Sequence, residues 1–164
     1  MTHEVTVRNV SSRHVAVVRE RRRWAELGPK LLPLLDRVYA AVRAGKVVPS
    51  GHNIFIFRDG SSDGVTVEVG VEVASALEPG DGIVSVTTPA GEVAMSVHRG
   101  PYSGLGAAHG AVLRWCKEHG RPHANVWWEI YGDWQEDAAR LETEVLYSLL
   151  PITGIGLTRD PMNS

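Results

Sequence analysis

One stretch of the sequence gathers aromatic side chains around a single carboxylate. Residues 126–134 contain three of the five tryptophans of the chain. If this stretch is a strand, alternation places Trp127, Glu129 and Tyr131 on one face. Removing an isolated carboxylate from water costs several kcal/mol, so Glu129 is expected to be protonated, hydrogen-bonded to a tyrosine or paired with a cation. Because aromatic faces attract cations, the stretch predicts a site for cationic or electron-poor aromatic ligands.

The alternative is that Glu129 lies half-solvated at a sheet edge and the tryptophans belong to the core.

Tyr102 precedes the second predicted helix and Trp24 holds the equivalent place before the first. A tyrosine at position 102 is predicted to line the site and to present its hydroxyl to Glu129. The further wall candidates are Trp134, Tyr147, Phe55 and Phe57. Each aromatic residue, taken singly, is more often part of a core than of a site.

An internal repeat supplies the elements that must position these residues. Val15 is followed 78 positions later by Val93, and Leu27 by Leu105. After a small deletion the offset becomes 74, because Asp59 corresponds to Asp133. Two half-domains of similar plan are therefore predicted.

Each half has the pattern of a leading strand followed by strand, helix, strand and strand. In the first half the strands are predicted at 5–10, 14–19, 52–58 and 65–73, with a helix at 27–42 and a hairpin loop at 59–64. In the second half they are predicted at 83–87, 91–98, 126–131 and 141–149, with a helix at 103–119.

The predicted fold class is α+β. Two pseudo-symmetric strand-helix-strand-strand modules form one curved antiparallel sheet, and the two helices frame a central groove. The domain is predicted to cover residues 1–152, with half-modules at about 1–75 and 82–150, and residues 153–164 are expected to be a loose tail.

Composition excludes several classes of function. The chain has 164 residues, with 17 Lys and Arg against 19 Asp and Glu, whereas a nucleic-acid binder usually carries a basic excess. No apolar segment approaches the roughly 20 residues that span a bilayer. We therefore expect a cytoplasmic protein that contacts neither a membrane nor nucleic acid directly.

Three features of the sequence bear on a cofactor or metal site. Residues 104–109 resemble a dinucleotide loop, but His109 replaces the third small residue. His119 and His123 have metal-ligand spacing, yet Gly120 and Pro122 interrupt the helix between them. The one cysteine, Cys116, allows no internal disulfide and is expected to be buried and inert. No cofactor and no metal are therefore expected.

A basic cluster lies at residues 19–23, just before the first helix. Cations are unfavourable near a helix N-terminus. The cluster is predicted to be a solvated extension of the strand, with contact to an anionic partner as the alternative.

The sequence resembles the GyrI-like small-molecule-binding domain, which also serves as the effector-binding domain of AraC-type and MerR-type transcription regulators. The resemblance covers about residues 5–150 and rests on the duplicated half-domain, on residues 98–102 (HRGPY), on 128–131 (WEIY) and on 141–145 (LETEV). It implies the same groove between two helices. It also implies that Glu129 lies at the bottom of that groove, amid aromatic side chains, and receives cationic aromatic drugs.

The resemblance leaves two functions open. The sequence looks like a stand-alone member, and such members are associated with multidrug binding and sequestration, with drug resistance through protection of gyrase, and with hydrolysis of cyclopropane-containing alkylating toxins. The first hypothesis is a binding module that captures planar aromatic, often cationic, small molecules. The alternative is a hydrolase in which Glu129 acts as general base on water and Tyr102 orients it. A contact with gyrase is a third hypothesis, for which the sequence offers only the arginine cluster.

Overall fold

The protein is described by a computed structural model that covers residues 3–152. The strands are β1 (Thr6–Val10), β2 (His14–Arg22), β3 (Pro49–Ser61), β4 (Gly64–Val73), β5 (Val84–Thr87), β6 (Gly91–Arg99), β7 (His123–Tyr131) and β8 (Glu142–Leu149). The helices are α1 (Leu32–Arg43) and α2 (Leu105–Glu118). The predicted tail, 153–164, lies outside the described residues. No helix in the described chain is both long and apolar enough to cross a membrane.

All eight strands form a single antiparallel sheet in the order β1-β6-β8-β7-β3-β4-β2-β5. The predicted α+β class, with one antiparallel sheet and two helices, is confirmed. The order is symmetric about its centre, where β3 of the first half pairs with β7 of the second. An approximate two-fold axis therefore passes between these two strands.

The leading strand of each half pairs with the other half. β1 pairs with β6, and β5 pairs with β2. Only residues 11–13 separate β1 from β2, and only 88–90 separate β5 from β6, although each pair of strands lies towards opposite ends of the sheet. The two connections meet, because the Thr88 N–H donates to the Arg13 carbonyl oxygen at 2.9 Å and the Arg13 N–H donates to Thr88 Oγ1 at 2.8 Å. The sheet must therefore curve until its ends approach each other.

The two helices pack on the same face of the sheet, away from its centre. α1 contacts β2 and β4, and α2 contacts β6 and β8. The apolar side of α2 is formed by buried Leu105, Ala108, Val112 and Cys116. The central strands β3 and β7 thus form the floor of a groove between the helices. Side chains that point to the other face of the sheet, such as Trp128 and Ile130, form a second core on the side away from the helices.

The element boundaries differ from the predictions at the helix starts, at one hairpin and at three strand ends, because β2 continues to Arg22, β3 begins at Pro49 and β7 begins at His123. Short 3-10 turns at Gly28–Leu31 and Tyr102–Gly104 precede the two helices where α-helix was predicted. The hairpin loop predicted at 59–64 is shorter, because β3 continues to Ser61 and β4 begins at Gly64. Asp59, with φ of 55°, absorbs the resulting irregularity within β3.

Candidate functional site

A cavity of about 1190 Å³ opens between α1 and α2 above the central strands. Single-ligand pockets usually measure roughly 300 to 1,000 Å³, so this groove is large. The structure brings all the predicted wall residues to its lining. They are Trp24, Phe55, Phe57, Tyr102, Trp127, Glu129, Tyr131, Trp134 and Tyr147.

Glu129 lies on the floor of the groove and is only 7% exposed. Its cross-strand partner on β3 is Phe55. The Tyr131 hydroxyl donates to Glu129 Oε1 at 2.6 Å, and Nε2 of His109 lies 2.7 Å from Glu129 Oε2. Each carboxylate oxygen therefore has one partner, while a carboxylate accepts about four hydrogen bonds. Capacity remains for a ligand.

His109 is the site residue that the sequence analysis missed. It lies on α2, and its Nδ1 is 2.7 Å from the Tyr147 hydroxyl oxygen. The imidazole thus joins Tyr147 on β8 to Glu129 on β7. Two signals were available: His109 is one helical turn from the buried Leu105, and the 78-residue offset pairs it with the buried Leu31. A histidine on that apolar side needs a polar partner.

Two tyrosines beside the carboxylate remain protonated well above neutral pH. Burial raises the pKa of Tyr131, and the neighbouring Glu129 charge and hydrogen bond raise it further. Burial also raises the pKa of Tyr147, with the Glu129 charge as the second cause. Both hydroxyls are therefore neutral hydrogen-bond donors, and neither contributes a competing negative charge to the groove.

Trp127 is the centre of an aromatic wall. Its ring stacks at 10° on Phe57 of β3, with centroids 5.8 Å apart, and at 9° on Tyr147 of β8, with centroids 5.5 Å apart. Trp24 lies parallel to it at 6.5 Å. The register explains the first two contacts, because Phe57, Trp127 and Tyr147 are directly opposite one another across three strands.

Comparison with known proteins identifies the family that this arrangement belongs to. The family model of the GyrI-like small-molecule-binding domain matches residues 3–147. The chain belongs to the GyrI-like family. The resemblance inferred from the sequence is therefore confirmed. At the level of the family, the chain is a small-molecule-binding domain. No curated protein matches the sequence.

Solved structures share the fold of this GyrI-like domain at low sequence identity. The EcmrR C-terminal domain aligns with a TM-score of 0.78 and 17% identity, over 93% of this chain and 100% of that chain. In the EcmrR–DNA complex the alignment covers 59% of the EcmrR chain. SAV2435 bound to tetraphenylphosphonium aligns with a TM-score of 0.67 and 10% identity, over 93% and 95% of the two chains. A hydrolase from Listeria innocua aligns with a TM-score of 0.61 and 11% identity, over 91% of this chain and 93% of that chain.

Three aromatic residues of the GyrI-like domain form the mouth of the groove. Trp24 is 45% exposed, and its indole N–H donates to the Ser61 carbonyl oxygen at 2.8 Å. Tyr102 is 42% exposed and contacts the Tyr131 ring edge-on at 5.4 Å. Trp134 is 75% exposed. The hydroxyl that reaches Glu129 is thus that of Tyr131, whereas the sequence analysis assigned this contact to Tyr102, which lies nearer the mouth.

A buried histidine holds the turn that carries Tyr102. Nε2 of His98 lies 2.8 Å from the Pro101 carbonyl oxygen. The ring packs so closely under the turn that a Cβ atom at Gly104 would lie 2.7 Å from His98 Cε1. The histidine, proline and glycine of this segment therefore set the height of Tyr102 above the floor.

His119, His123 and Cys116 pack against neighbouring side chains or lie buried in the core. His119 stacks on Trp115, while His123 contacts Trp127 and Tyr147 edge-on. Burial lowers the pKa of His123 and raises that of the Cys116 thiol. Within residues 3–152, no three His, Cys, Asp or Glu side chains form a metal-binding group.

The basic cluster belongs to β2, which continues to Arg22. Arg19 pairs with the buried Glu68, while Arg21 donates to Asp63 and to the Asp59 carbonyl oxygen. These contacts brace the hairpin whose residues 60 and 61 line the groove. Contact of the cluster with gyrase stays a prediction.

Proposed function

We propose that this GyrI-like domain captures planar aromatic cations in the cytoplasm, with Glu129 as the counter-charge. The observation that supports the proposal most directly is a carboxylate, almost fully buried, on the floor of a large groove with aromatic walls. A buried charge is costly unless it is paired, and a ligand cation would supply that pairing. The buried, unpaired thiol of Cys116 is compatible with a reducing compartment.

The charges around the groove favour a cation. Among the described residues that line it, none is Lys or Arg, and the acidic residues are Glu129 and Asp133. Tyr131 donates a neutral hydrogen bond, which orients the carboxylate without cancelling its charge. A cation over the rings would gain about 0.5 to 2 kcal/mol from each aromatic face, depending on desolvation.

Stacking and a single charge select weakly by shape, so we propose multidrug binding, as expected of a sequestering or drug-resistance protein.

Tetraphenylphosphonium is not planar, but it places one positive charge among four aryl rings and therefore tests the need for a counter-charge. SAV2435, which shares this fold, is known bound to it. Binding is measured by titration calorimetry at pH 8. We expect Glu129→Gln to weaken binding at least about tenfold, equivalent to about 1.4 kcal/mol, because glutamine keeps the size of the side chain and removes its charge. Glu142→Gln is the matched control, since it removes one exposed carboxylate outside the groove lining. Equal affinity of E129Q and E142Q would contradict the proposal.

A second candidate, hydrolysis of strained electrophiles, is favoured by the hydrogen-bonded chain from Tyr147 through His109 to Glu129. This chain fixes the carboxylate and leaves lone pairs free to accept a proton. Water would add to a cyclopropane carbon of the toxin and give its proton to Glu129. The strained C–C bond would break, and its electron pair would move through the conjugated dienone ring to the carbonyl oxygen, which then takes a proton from solvent to give a phenol.

The two functions are separated by the fate of the ligand. The domain is incubated with a spirocyclopropyl dienone, and the ring-opened alcohol is measured by mass spectrometry. Product in molar excess over protein, lost in E129Q, supports the hydrolase. Recovery of unchanged dienone after saturable binding supports capture alone. Tyr102→Phe tests whether the mouth tyrosine takes part, and Tyr131→Phe tests the tyrosine that contacts Glu129.

A further inference from the structure

His109 is the histidine that contacts the carboxylate on the groove floor, and its place is closely defined. It lies between Glu129 and Tyr147, 2.7 Å from an oxygen of each. Its side chain is 19% exposed and lines the cavity. A ligand in the groove would therefore lie against the Glu129–His109 pair.

The hydrogen bonds of this pair can be satisfied in two charge states. With a neutral imidazole, Nε2–H donates to Glu129 and Nδ1 accepts the Tyr147 hydroxyl proton, so the pair carries one negative charge. With a protonated imidazole, both ring nitrogens donate, the pair is neutral, and the Tyr147 hydroxyl proton is free for an acceptor on a ligand. Imidazole is the side-chain group that commonly changes charge between pH 5 and 8.

We propose that His109 determines the charge of the ligand that the groove accepts: monocations when the imidazole is neutral, and uncharged aromatic molecules with an acceptor oxygen when it is protonated. The inference rests on the proposed function and specifies its ligand class. When the pair holds the extra proton, a bound monocation must displace it, so the affinity for the cation falls as pH falls. A neutral molecule displaces no charge, so its affinity does not fall.

Other titratable groups face the same region and must be separated from His109. Tyr131 and His123 on β7 and Tyr147 on β8 line the cavity, as do Tyr102, Tyr39, His52 and Asp133. Cys116 on α2 packs in the same core cluster as Tyr147, and His98 on β6 lies under the turn that carries Tyr102. Raised pKa values keep Tyr131, Tyr147 and Cys116 protonated across the range tested. Burial lowers the pKa of His123, which favours its neutral form.

The experiment compares two phenylphosphorus probes at pH 8 and pH 5.5: cationic tetraphenylphosphonium, and uncharged triphenylphosphine oxide, in which an oxygen replaces one phenyl group. In the wild-type chain we expect the affinity for the cation to fall at least about fivefold at pH 5.5, with a limit of about tenfold per pH unit. The affinity for the oxide should rise at pH 5.5, because the Tyr147 hydroxyl proton is then free to donate to its oxygen. His109→Gln retains an amide donor for Glu129 without a titratable ring, so its cation affinity should change less than about twofold over the same range.

His119→Gln is the matched control on the same helix, since His119 stacks on Trp115 outside the cavity lining. His123→Gln and His52→Gln separate the other two histidines of the cavity lining. Each control should retain the pH dependence of the wild type. His109→Leu, which copies Leu31 of the first half, provides a second variant if H109Q fails to fold by circular dichroism.

Failure of the proposed function and failure of the His109 proposal would give different results. Failure of the wild-type chain to bind tetraphenylphosphonium at pH 8 would overturn the proposed function and this inference together. Binding at pH 8 with the same acid loss in H109Q and H109L as in the wild type would overturn only the role of His109. Parallel acid loss of both probes would also overturn it, because a neutral ligand has no charge to compete with the proton.

Discussion

The two halves of the domain share one plan but differ at the groove floor. Phe55 and Glu129 are equivalent by the 74-residue offset and are also cross-strand partners, so both lie on the pseudo-two-fold axis. Around Glu129 stand His109 and Tyr147; at the corresponding places around Phe55 stand the buried Leu31 and Val71. One half therefore carries a polar hydrogen-bonded set where the other carries an apolar one.

The difference shows what a duplicated scaffold permits. The apolar set is stable by burial alone, at about 25 cal/mol per Å² of apolar surface removed from water. The polar set must satisfy its own hydrogen bonds, because an unpaired buried polar group costs about 1 to 3 kcal/mol. Glu129, His109, Tyr131 and Tyr147 hydrogen-bond to one another, and the carboxylate keeps acceptor capacity for a ligand. The first half thus contributes wall and stability, and the second half contributes the chemistry.

The largest expected effect comes from giving both halves a carboxylate. Phe55→Glu would place two carboxylates directly opposite each other on the floor. We expect a loss of about 3 to 5 kcal/mol in the free energy of unfolding at pH 7.5, the usual cost of an uncompensated buried charge. Protonation of one carboxyl group removes the repulsion, so F55E should be more stable at pH 5 than at pH 7.5.

Urea unfolding at pH 7.5 and pH 5 measures this effect. Phe55→Gln is the control, because it removes the same ring and adds no charge. If F55E and F55Q were equally stable at both pH values, the two positions would not share a buried floor.

A smaller effect is expected at the aromatic wall of the second half. Trp127 stacks between Phe57 and Tyr147, whereas the first half has Asn53 at the equivalent position, bonded to the Tyr39 hydroxyl at 2.6 Å. Trp127→Ala should cost roughly 2 to 3 kcal/mol, below the about 3 to 5 kcal/mol typical of a fully buried tryptophan. It should also weaken tetraphenylphosphonium binding.

Trp134→Ala is the matched control, since this exposed ring lines the mouth and stacks on no other described ring. Its free energy of unfolding should stay within about 0.5 kcal/mol of the wild type. Equal stability losses in W127A and W134A would show that the stack contributes nothing specific.

The smallest effect concerns His123, for which the first half has Pro49 at the 74-residue offset. Burial lowers the folded-state pKa of His123, so the unfolded chain binds the proton first as pH falls. Its contribution is therefore fully present above the unfolded pKa of about 6.5 and is lost as pH falls below it. Thermal unfolding from pH 8 to pH 5 should show a smaller decrease in Tm for His123→Gln than for the wild type. A steeper decrease in the variant would contradict this sign.

Much of the fold and the groove wall could be predicted from the sequence. Alternation of polar and apolar residues is local, so it located the strands and placed Trp127, Glu129 and Tyr131 on one face. The 78- and 74-residue offsets indicated two equivalent halves. The starts of the helices were less certain, because Pro29 and Gly104 are compatible with either a 3-10 turn or an α-helix.

Other features of the site depend on contacts between segments far apart in sequence. The sequence led to Tyr102 as the tyrosine that contacts Glu129, whereas the contact is made by Tyr131. The position of Tyr102 depends on how high the His98–Pro101 contact holds the turn, which the sequence does not specify. His109 lies 20 residues from Glu129, on a helix whose rotation relative to the sheet the sequence does not specify.

The amino-acid sequence by itself determined the elements, their duplication and the aromatic face around Glu129, since these follow from periodicity over a few residues. Only the tertiary structure decided that β1 and β5 pair with the opposite half and that His109 joins Tyr147 to the carboxylate. The physical reason is that strand partners and buried hydrogen bonds are chosen by the packing of the whole sheet against both helices. Any single segment is compatible with more than one such choice.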